Sequence, residues 1–192
     1  MTGTEAFETL IPLLREEAVI HANGYICRES FRLKDRDGNF YMIGSMGLAS
    51  SIGLGVAMGR PEKKVIVFDG DGNVLMALGT LAMIAAAAPE NFLHVVFDNQ
   101  VYESTGKQRS ISPQVPLDEV ARSAGYRHTR KVSRHEDLEP AFLELRESEG
   151  PSFLLVDVAP SFQPGTGRVT HSPEEIKTRF MKSLQASAAL GK

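Results

Sequence analysis

The sequence is poor in cysteine, in net charge and in long apolar runs, and each shortage excludes a class of protein. Its single cysteine, Cys27, excludes a disulfide within the chain and any iron–sulfur or zinc site built from several of its own thiolates. A net charge of −3 gives no sign of the concentrated basic face that nucleic acid requires. The most apolar run, residues 74–88, is shorter than the roughly 20 residues that cross a bilayer. We therefore expect a buried helix there, with no nucleic-acid partner and no membrane partner.

The N-terminal segment also lacks the pattern of a signal peptide, because residues 1–17 are acidic and amphipathic rather than basic and then apolar. Together with the single cysteine, this predicts a cytoplasmic protein. What the sequence does contain is an ordinary globular composition, with 42% hydrophobic and 23% charged residues. Its 192 residues predict one domain, spanning 1–192, with a substantial core.

Short apolar runs alternate with helical patterns, which predicts an α/β fold with a mostly parallel sheet and helices on both faces. The predicted strands lie at 17–24, 39–45, 63–72, 91–99 and 152–160. The predicted helices lie at 46–60, 74–88, 116–126, 135–148 and from the capping box at 172–175 towards Leu184.

Two helices carry more specific expectations. Pro140 should lie in the first turn of its helix, where a missing N–H is tolerated. Gly47, Ser51 and Gly55 are spaced four apart and should face a closely packed neighbour. Gly53 and Gly59, with Gly55, should serve packing rather than dinucleotide binding, because they fall inside a helix with the wrong spacing.

Polar side chains follow the third and fourth predicted strands. The third strand ends in Asp-Gly-Asp-Gly-Asn at 69–73, where glycines allow close backbone approach and a helix N-terminus favours phosphate. Asp71 would repel a bare phosphate, but a Mg²⁺ ion between the two resolves that conflict. Asn99 can supply a second oxygen from the adjacent strand end. A Gly-Asp-Gly alone is more often a simple turn, and the following Asp98-Asn99 makes the pattern specific.

This arrangement resembles the motif of the thiamine diphosphate enzymes, in which Gly-Asp-Gly is followed after a second strand by Asn-Asn. Asp98 is a departure from that motif at its first Asn position. The resemblance implies the diphosphate-binding (PP-type) fold of this family. It also implies that Asp71, the Asn99 side chain and the Val101 main-chain carbonyl hold Mg²⁺ beside thiamine diphosphate. The departure at Asp98 leaves that ligand set intact.

Two further segments extend the resemblance. The sequence "GSMG" at 44–47 resembles the segment that holds the aminopyrimidine ring, with the Gly44 carbonyl as an acceptor and Met46 supporting the bent cofactor. Core packing is the alternative for Met46. The sequence "HANG" at 21–24 resembles the loop that contacts the diphosphate. The implied cofactor-binding set is Asn23, Gly24, Gly44, Ser45, Met46, Gly70, Asp71, Gly72, Asn73, Asn99, Ser104 and Thr105.

Longer segments resemble one branch of the family, the sulfopyruvate and phosphonopyruvate decarboxylases. These are residues 34–57, 89–108 and 174–184, and Ser104-Thr105-Gly106 is the most specific part. The chain length resembles the separate β subunits of the sulfopyruvate decarboxylases. The resemblance implies a subunit of a thiamine diphosphate-dependent decarboxylase that converts 3-sulfopyruvate to sulfoacetaldehyde and CO₂. The alternatives are a phosphonopyruvate decarboxylase subunit, a β subunit of another 2-oxoacid carboligase or oxidoreductase, and a regulatory module without turnover.

The substrate and partner follow from the same resemblance. A small anionic 2-oxoacid needs cationic contacts, so Lys107 and Arg109 are candidates, although solvated loop charges are the alternative. No catalytic residue is assigned in this chain, because the activating glutamate of the family lies on a pyrimidine-binding domain. No second domain fits in this length, which implies a pyrimidine-binding α subunit as a separate chain.

The other titratable residues are expected to be structural or solvated. His94 should be a satisfied core histidine, because it lies in a predicted buried strand. For His21, core packing competes with cofactor contact. Carboxylates outside the motif should lie on helix surfaces. Arg28 and Glu29 resemble a pair typical of the branch, and structural and substrate roles remain open for both.

Overall fold

In the computed structural model, which describes residues 1–160 and 166–186, the chain forms eight strands and eight α-helices. The strands are β1 (Ala18–His21), β2 (Asn39–Tyr41), β3 (Val65–Gly70), β4 (Phe92–Asp98), β5 (Val101–Tyr102), β6 (Gln108–Arg109), β7 (His128–Val132) and β8 (Ser152–Asp157). The helices are α1 (Gly3–Leu10), α2 (Tyr25–Leu33), α3 (Ala49–Gly59), α4 (Asp71–Met76), α5 (Gly79–Ala87), α6 (Leu117–Ala124), α7 (His135–Glu147) and α8 (Pro173–Ala186). Short 3-10 helices lie at Ile11–Leu13 and Ser112–Gln114.

Six of the strands form one sheet in the order β2-β1-β3-β4-β8-β7, and every pairing within it is parallel. Every residue of the central strands β3 and β4 is buried. Strands covered on both faces are uniformly apolar rather than alternating, which is why these two could be located from the sequence. The predicted α/β fold with a parallel sheet is confirmed.

The apolar run at 74–88 does not form one buried helix, so that prediction is wrong. It contributes to two short helices, α4 and α5, which are separated at Ala77 and Leu78. Met76 and Met83 are 61% and 63% exposed, while Leu81 and Ile84 face the core. A run of uniformly apolar residues has no periodicity to show which face is outward. None of the helices among the described residues is long and apolar enough to cross a membrane.

The stripe predicted from Gly47, Ser51 and Gly55 is only partly confirmed. A Cβ at Gly47 would lie 3.3 Å from Ala77 Cβ, and Ser51 Oγ lies 3.2 Å from Thr80 Oγ1 in α5, but the closest approach of α3 is at Gly53. A Cβ added at Gly53 would lie 2.3 Å from Val67 Cγ2 in β3. A Cβ at Gly55 would meet nothing within 4 Å, and Gly47 lies before the helix begins. The packing role predicted for Gly53 is therefore confirmed, whereas Gly55 faces open space; Gly59 does as well.

Pro140 lies well inside α7 rather than in its first turn, which corrects a further expectation. The helix begins at His135 and packs through Leu138, Phe142 and Leu145. Pro140 is exposed, so the helix carbonyl that its missing N–H leaves unpaired can bond to water. The C-terminal helix begins as predicted, since the Ser172 and Glu175 side chains each bond the other's backbone N–H, at 3.2 and 2.7 Å respectively.

Candidate functional site

A cleft opens at the carboxyl ends of β1, β3 and β4, with about 600 Å³ of empty space when its open side is included. The chain leaves β1 towards β2 on one side and leaves β3 towards β4 on the other, so the strand order diverges at this point. Parallel α/β sheets bind ligands at such positions. Residues predicted from the sequence that line the cleft are Asn23, Gly24, Met46, Gly70, Asp71, Gly72, Asn73, Asn99, Val101, Ser104 and Thr105.

Four predicted residues lie outside this cleft. Gly44 and Ser45 line a neighbouring apolar groove together with Ile43 and Leu48. Lys107 and Arg109 are exposed on the hairpin formed by β5 and β6. The roles predicted for these four residues remain predictions.

The start of α4 is tied to the segment at 44–47. Asn73 Oδ1 accepts a hydrogen bond from the Gly47 N–H at 2.9 Å. Met46 reaches the same place, since its Cε lies 3.1 Å from where a Cβ of Gly72 would be. That Cβ would also lie 2.5 Å from Tyr102 Cε1. Glycine at position 72 is therefore what allows Met46 and Tyr102 to approach the cleft floor.

Asp71 is the most perturbed carboxyl group of the cleft. Its side chain is buried, and burial together with the nearby Asp98 carboxylate raises the pKa of Asp71 to about 6, against the lowering effect of a hydrogen bond donated by Ser110. Burial likewise raises the pKa of Asp98. Two carboxyl groups held close together away from water are stabilised by a cation, so this pair suits a metal site.

Asn99 is held by two hydrogen bonds. Its Nδ2 donates to Glu103 Oε2 at 2.9 Å, and its Oδ1 accepts from the Val101 N–H at 3.1 Å. The amide oxygen therefore faces the turn that contains the predicted carbonyl ligand, and it keeps a second lone pair for a cation. Asp71, Asn99 and Val101 thus lie on the same cleft.

The cleft fits a bound group in a second respect. Asn23 Oδ1 is buried and has no hydrogen-bond partner among the described residues, so this amide oxygen is not committed to the protein. Together with the open floor at Gly72 and the oxygen donors of Asp71 and Asn99, the residues present fit a diphosphate bound through a divalent cation.

Several cleft residues were not found from the sequence. Phe97 and Val158 end apolar strands, and nothing in an apolar pattern distinguishes a cleft residue from a core residue. Tyr102 and Glu103 follow Asn99 within the segment that resembles the decarboxylase branch, and that proximity was the available signal. The unpredicted residues of the cleft lining are Tyr25, Ile26, Phe97, Tyr102, Glu103 and Val158.

The two buried histidines belong to the core. His94 Nε2 lies 3.2 Å from Asp69 Oδ2 and its Nδ1 lies 3.4 Å from the Tyr126 hydroxyl, which confirms the predicted structural role. His21 does not line the cleft. Its Nδ1 lies 2.8 Å from Ser30 Oγ, and complete burial lowers the pKa of His21 to about 3.

One expectation about carboxylates is wrong, because Glu17 and Glu29 are buried rather than on helix surfaces. Glu29 accepts two hydrogen bonds from Arg32, at 3.0 and 2.7 Å, and one from the Thr166 hydroxyl at 2.8 Å. These partners satisfy a buried charge and favour the structural role for Glu29. The Arg28 guanidinium lies 5.1 Å from the ring centre of Tyr25, a cleft residue.

Comparison with known proteins gives relatives over nearly the whole chain. It is 42% identical to phosphonopyruvate decarboxylase of Streptomyces viridochromogenes over 93% of this chain and 45% of the relative. It is 38% identical to sulfopyruvate decarboxylase subunit beta of Methanothermobacter thermautotrophicus over 95% of each chain. The chain therefore spans about half the length of the first relative and nearly all of the second.

A solved structure shows the same fold at lower identity. Benzoylformate decarboxylase from Polynucleobacter necessarius superposes with a TM-score of 0.71 over 85% of this chain and 34% of that one, at 18% identity. Residues 30–156 match the sequence model described as "Thiamine pyrophosphate enzyme, C-terminal TPP binding domain". That match includes β3, β4 and the loops that follow them, and it shows that the chain belongs to the thiamine pyrophosphate enzymes, whose C-terminal TPP-binding domain it carries.

Proposed function

We propose that this chain is the diphosphate-binding subunit of a thiamine diphosphate- and Mg²⁺-dependent decarboxylase that converts 3-sulfopyruvate to sulfoacetaldehyde and CO₂. The observation that carries the proposal is the meeting of Asp71, Asn99 and Gly72 at one cleft, on the fold of this family. The relative named sulfopyruvate decarboxylase subunit beta, which matches over 95% of both lengths, supports the substrate. The 42% identity to a phosphonopyruvate decarboxylase makes phosphonopyruvate the second candidate.

Mg²⁺ would be held by the Asp71 carboxylate, Asn99 Oδ1 and the Val101 carbonyl oxygen. Such hard oxygen donors suit Mg²⁺, which commonly completes its octahedron with phosphate oxygens and water. Its charge would offset the repulsion that two buried carboxyl groups, Asp71 and Asp98, exert on a diphosphate. Since α4 has only six residues, its dipole is small, and the cation would be the main source of positive charge.

The remaining residues would bind and orient the cofactor. Asn23, Gly24, Ser104 and Thr105 would surround the diphosphate, and Met46 would support the bent cofactor from the Gly72 side. When bound, thiamine diphosphate supplies a thiazolium ring that takes up the electron pair released as CO₂ leaves. The Gly44 carbonyl would accept a hydrogen bond from the aminopyrimidine, with Ser45 beside it.

Lys107 and Arg109 are the proposed contacts for the anionic group of the substrate. Both lie on the hairpin whose first strand begins at Val101, so only a short stretch of backbone separates them from a proposed metal ligand. The same cationic contacts would serve a sulfonate or a phosphonate. The two substrates must therefore be separated by assay.

We also propose that the chain acts as a single domain over 1–192, in the cytoplasm, within a complex of at least α₂β₂. A pyrimidine-binding α subunit would bring the activating glutamate to each site at an α–β interface. The beta-subunit name of the relative supports this arrangement. Robust decarboxylation by the purified chain, with no second polypeptide in the mass spectrum, would contradict it.

Co-expression with the pyrimidine-binding chain, sought in the neighbouring reading frame, tests the function. The complex should release CO₂ and an aldehyde from sulfopyruvate, with a higher kcat/KM than for phosphonopyruvate. A preference for phosphonopyruvate would select the second candidate. Formation of acetolactate or reduced ferredoxin as the main product would refute both, and failure of the complex to turn over any 2-oxoacid would favour a regulatory module.

A further inference from the structure

Two buried serines lie between the carboxyl groups of Asp71 and Asp98. Ser110 follows β6, and Ser112 opens the 3-10 helix Ser112–Gln114; both side chains are buried. The Ser110 hydroxyl donates to Asp71 Oδ2. The Ser112 hydroxyl donates to Asp98 Oδ1 at 2.7 Å, and the two serine oxygens lie 3.0 Å apart. Each hydroxyl has a single proton and gives it to a carboxylate, so the two serines are linked by the Ser112 N–H rather than by their hydroxyl groups.

Backbone groups hold the two serines and Asp98 in place. The Ser110 N–H donates to the Gln100 carbonyl at 2.9 Å, which closes the loop that carries the serines onto the turn after β4. The Gln100 N–H donates to Asp98 Oδ1 at 3.1 Å, so Asp98 is oriented by the same turn. The Ser112 N–H points at Ser110 Oγ at 3.3 Å. The serines are therefore held by contacts that do not depend on a ligand.

The contact with Ser110 engages one specific oxygen of Asp71. A buried carboxylate with a fixed donor on Oδ2 cannot rotate freely about its terminal bond, so its remaining lone pairs keep one direction. Metal ligands usually depend on such outer contacts for their orientation. Asp98 is not in the predicted ligand set. Its side chain is nevertheless buried, with 6% exposed, and accepts the hydrogen bond from Ser112.

We propose that Ser110 and Ser112 are positioning residues for the metal-binding carboxylate: Asp98 holds the Ser112 hydroxyl, the Ser112 N–H holds Ser110 Oγ, and the Ser110 hydroxyl holds Asp71 in the orientation that binds Mg²⁺. This inference rests on the proposed function, because it concerns the same metal. It gives Asp98 the role of a hydrogen-bond acceptor for Ser112 rather than that of a ligand.

The test measures Mn²⁺ binding, as a spectroscopic substitute for Mg²⁺, by electron paramagnetic resonance of the complex with thiamine diphosphate. Ser110→Ala should weaken the Mn²⁺ affinity by about 10- to 100-fold, the usual effect of losing an outer contact. Ser112→Ala keeps the N–H that contacts Ser110 and should weaken the affinity by less. Saturating Mg²⁺ should restore most of kcat, because the ligands themselves remain. Ser152→Ala is the matched control, since Ser152 is a buried serine at the start of β8 whose hydroxyl has no partner among the described residues.

A second pair of variants distinguishes the role of Asp98 as a hydrogen-bond acceptor from the effect of its negative charge. Asp98→Asn keeps an acceptor for Ser112 and should bind Mn²⁺ within a few-fold of the wild type, whereas Asp98→Ala should lose affinity as Ser112→Ala does. This pair tests the proposal even if a serine variant fails to assemble. Wild-type affinity in Ser110→Ala and Ser112→Ala, or an equal loss in Ser152→Ala, would overturn the inference. A wild-type complex that binds no Mn²⁺ would instead overturn the proposed function, and this inference with it.

Discussion

Among single residues, the shape of the cleft depends on the glycine at position 72, which has no side chain. Gly72 lies where any side chain would collide with Tyr102 and Met46, and both of those belong to the cleft lining. Tyr102 is half-buried, so its ring can move aside when a methyl group is added. A substitution at Gly72 should therefore change the shape of the cleft more than the stability of the fold.

Gly72→Ala is expected to lower thiamine diphosphate affinity of the complex by about 10-fold or more, with a stability loss of about 1 kcal/mol or less. Titration calorimetry and urea unfolding measure the two effects. Gly79→Ala is the control, because a Cβ there meets nothing within 4 Å. Equal cofactor affinity in the two variants would show that cofactor binding does not need the space beside Gly72.

His21 makes the fold sensitive to acid. Its pKa is about 3 in the folded chain because it is buried, against 6.5 for the free side chain, so between these pH values only the unfolded chain takes up the proton. Above about pH 6.5 His21 is neutral in both states and does not affect the free energy of unfolding, and below that pH it destabilises the fold increasingly as the pH falls. Wild-type protein should lose about 2 kcal/mol through this residue between pH 7.5 and pH 5.

Urea unfolding at both pH values measures that loss. His21→Gln should unfold with a shallower dependence on pH than the wild type, while the exposed His128→Gln should retain the wild-type dependence. The groups whose charges act on His21, Asp35 and Arg36, are unchanged in both variants. If the free energy of unfolding changes equally with pH in His21→Gln and in the wild type, His21 is not the source of the acid sensitivity.

The residues that the sequence predicted best are those whose positions follow from strand ends. Asp71 and Asn99 could be brought together because neighbouring parallel strands end at the same edge of a sheet. Ser110 and Ser112 could not be predicted, since they reach the cleft only after the chain folds back through the β5–β6 hairpin. That hairpin pairs two residues on each strand, too few for a periodic pattern.

Among the strands and helices, those with continuous or periodic buried residues could be predicted from the sequence. The central strands and α6 were predicted because their apolar residues are continuous or periodic. The edge strand β7, "HTRKV", was missed because four of its five residues are polar and at least partly exposed. Helix α2 was missed because it begins after Gly24 without a side-chain cap and is rich in charged residues.

Helix α3 offers a test of the packing account within one element. Gly53→Ala should destabilise the protein by about 1–3 kcal/mol, because its Cβ would lie 2.3 Å from Val67 Cγ2 in a closely packed core. Gly55→Ala, on the open side of the same helix, should stabilise it by about 0.5–1 kcal/mol through helix propensity. Urea unfolding measures both. The reverse order of stabilities would contradict the assigned helix orientation.

On the surface of the whole molecule, several large apolar side chains are exposed among the described residues. Ile43 and Leu48 are 55% and 48% exposed beside the cleft, and Met58 is 64% exposed near the other end of α3. The proposed α–β interface would cover the first pair, because the pyrimidine-binding subunit must reach the cleft. Apolar surface of this kind is typical of protein interfaces.

Leu48→Glu should therefore weaken assembly with the pyrimidine-binding chain by about 10-fold or more, since a charge would have to be buried in the interface. Met58→Glu, near the other end of α3, is the matched control and should assemble normally. Analytical ultracentrifugation of the two complexes measures the difference. Normal assembly of Leu48→Glu would place the interface elsewhere on the molecule.

The proposed function depends on Asp71 and Asn99, which would hold the metal through which the cofactor binds. Calorimetric titration of thiamine diphosphate into the assembled complex, with and without Mg²⁺, tests it most directly in the wild type, Asp71→Ala, Asn99→Ala and the control Asp118→Ala. The wild type and Asp118→Ala should bind thiamine diphosphate in a Mg²⁺-dependent manner, and the other two variants should not. Unchanged Mg²⁺-dependent affinity in Asp71→Ala and Asn99→Ala would contradict it.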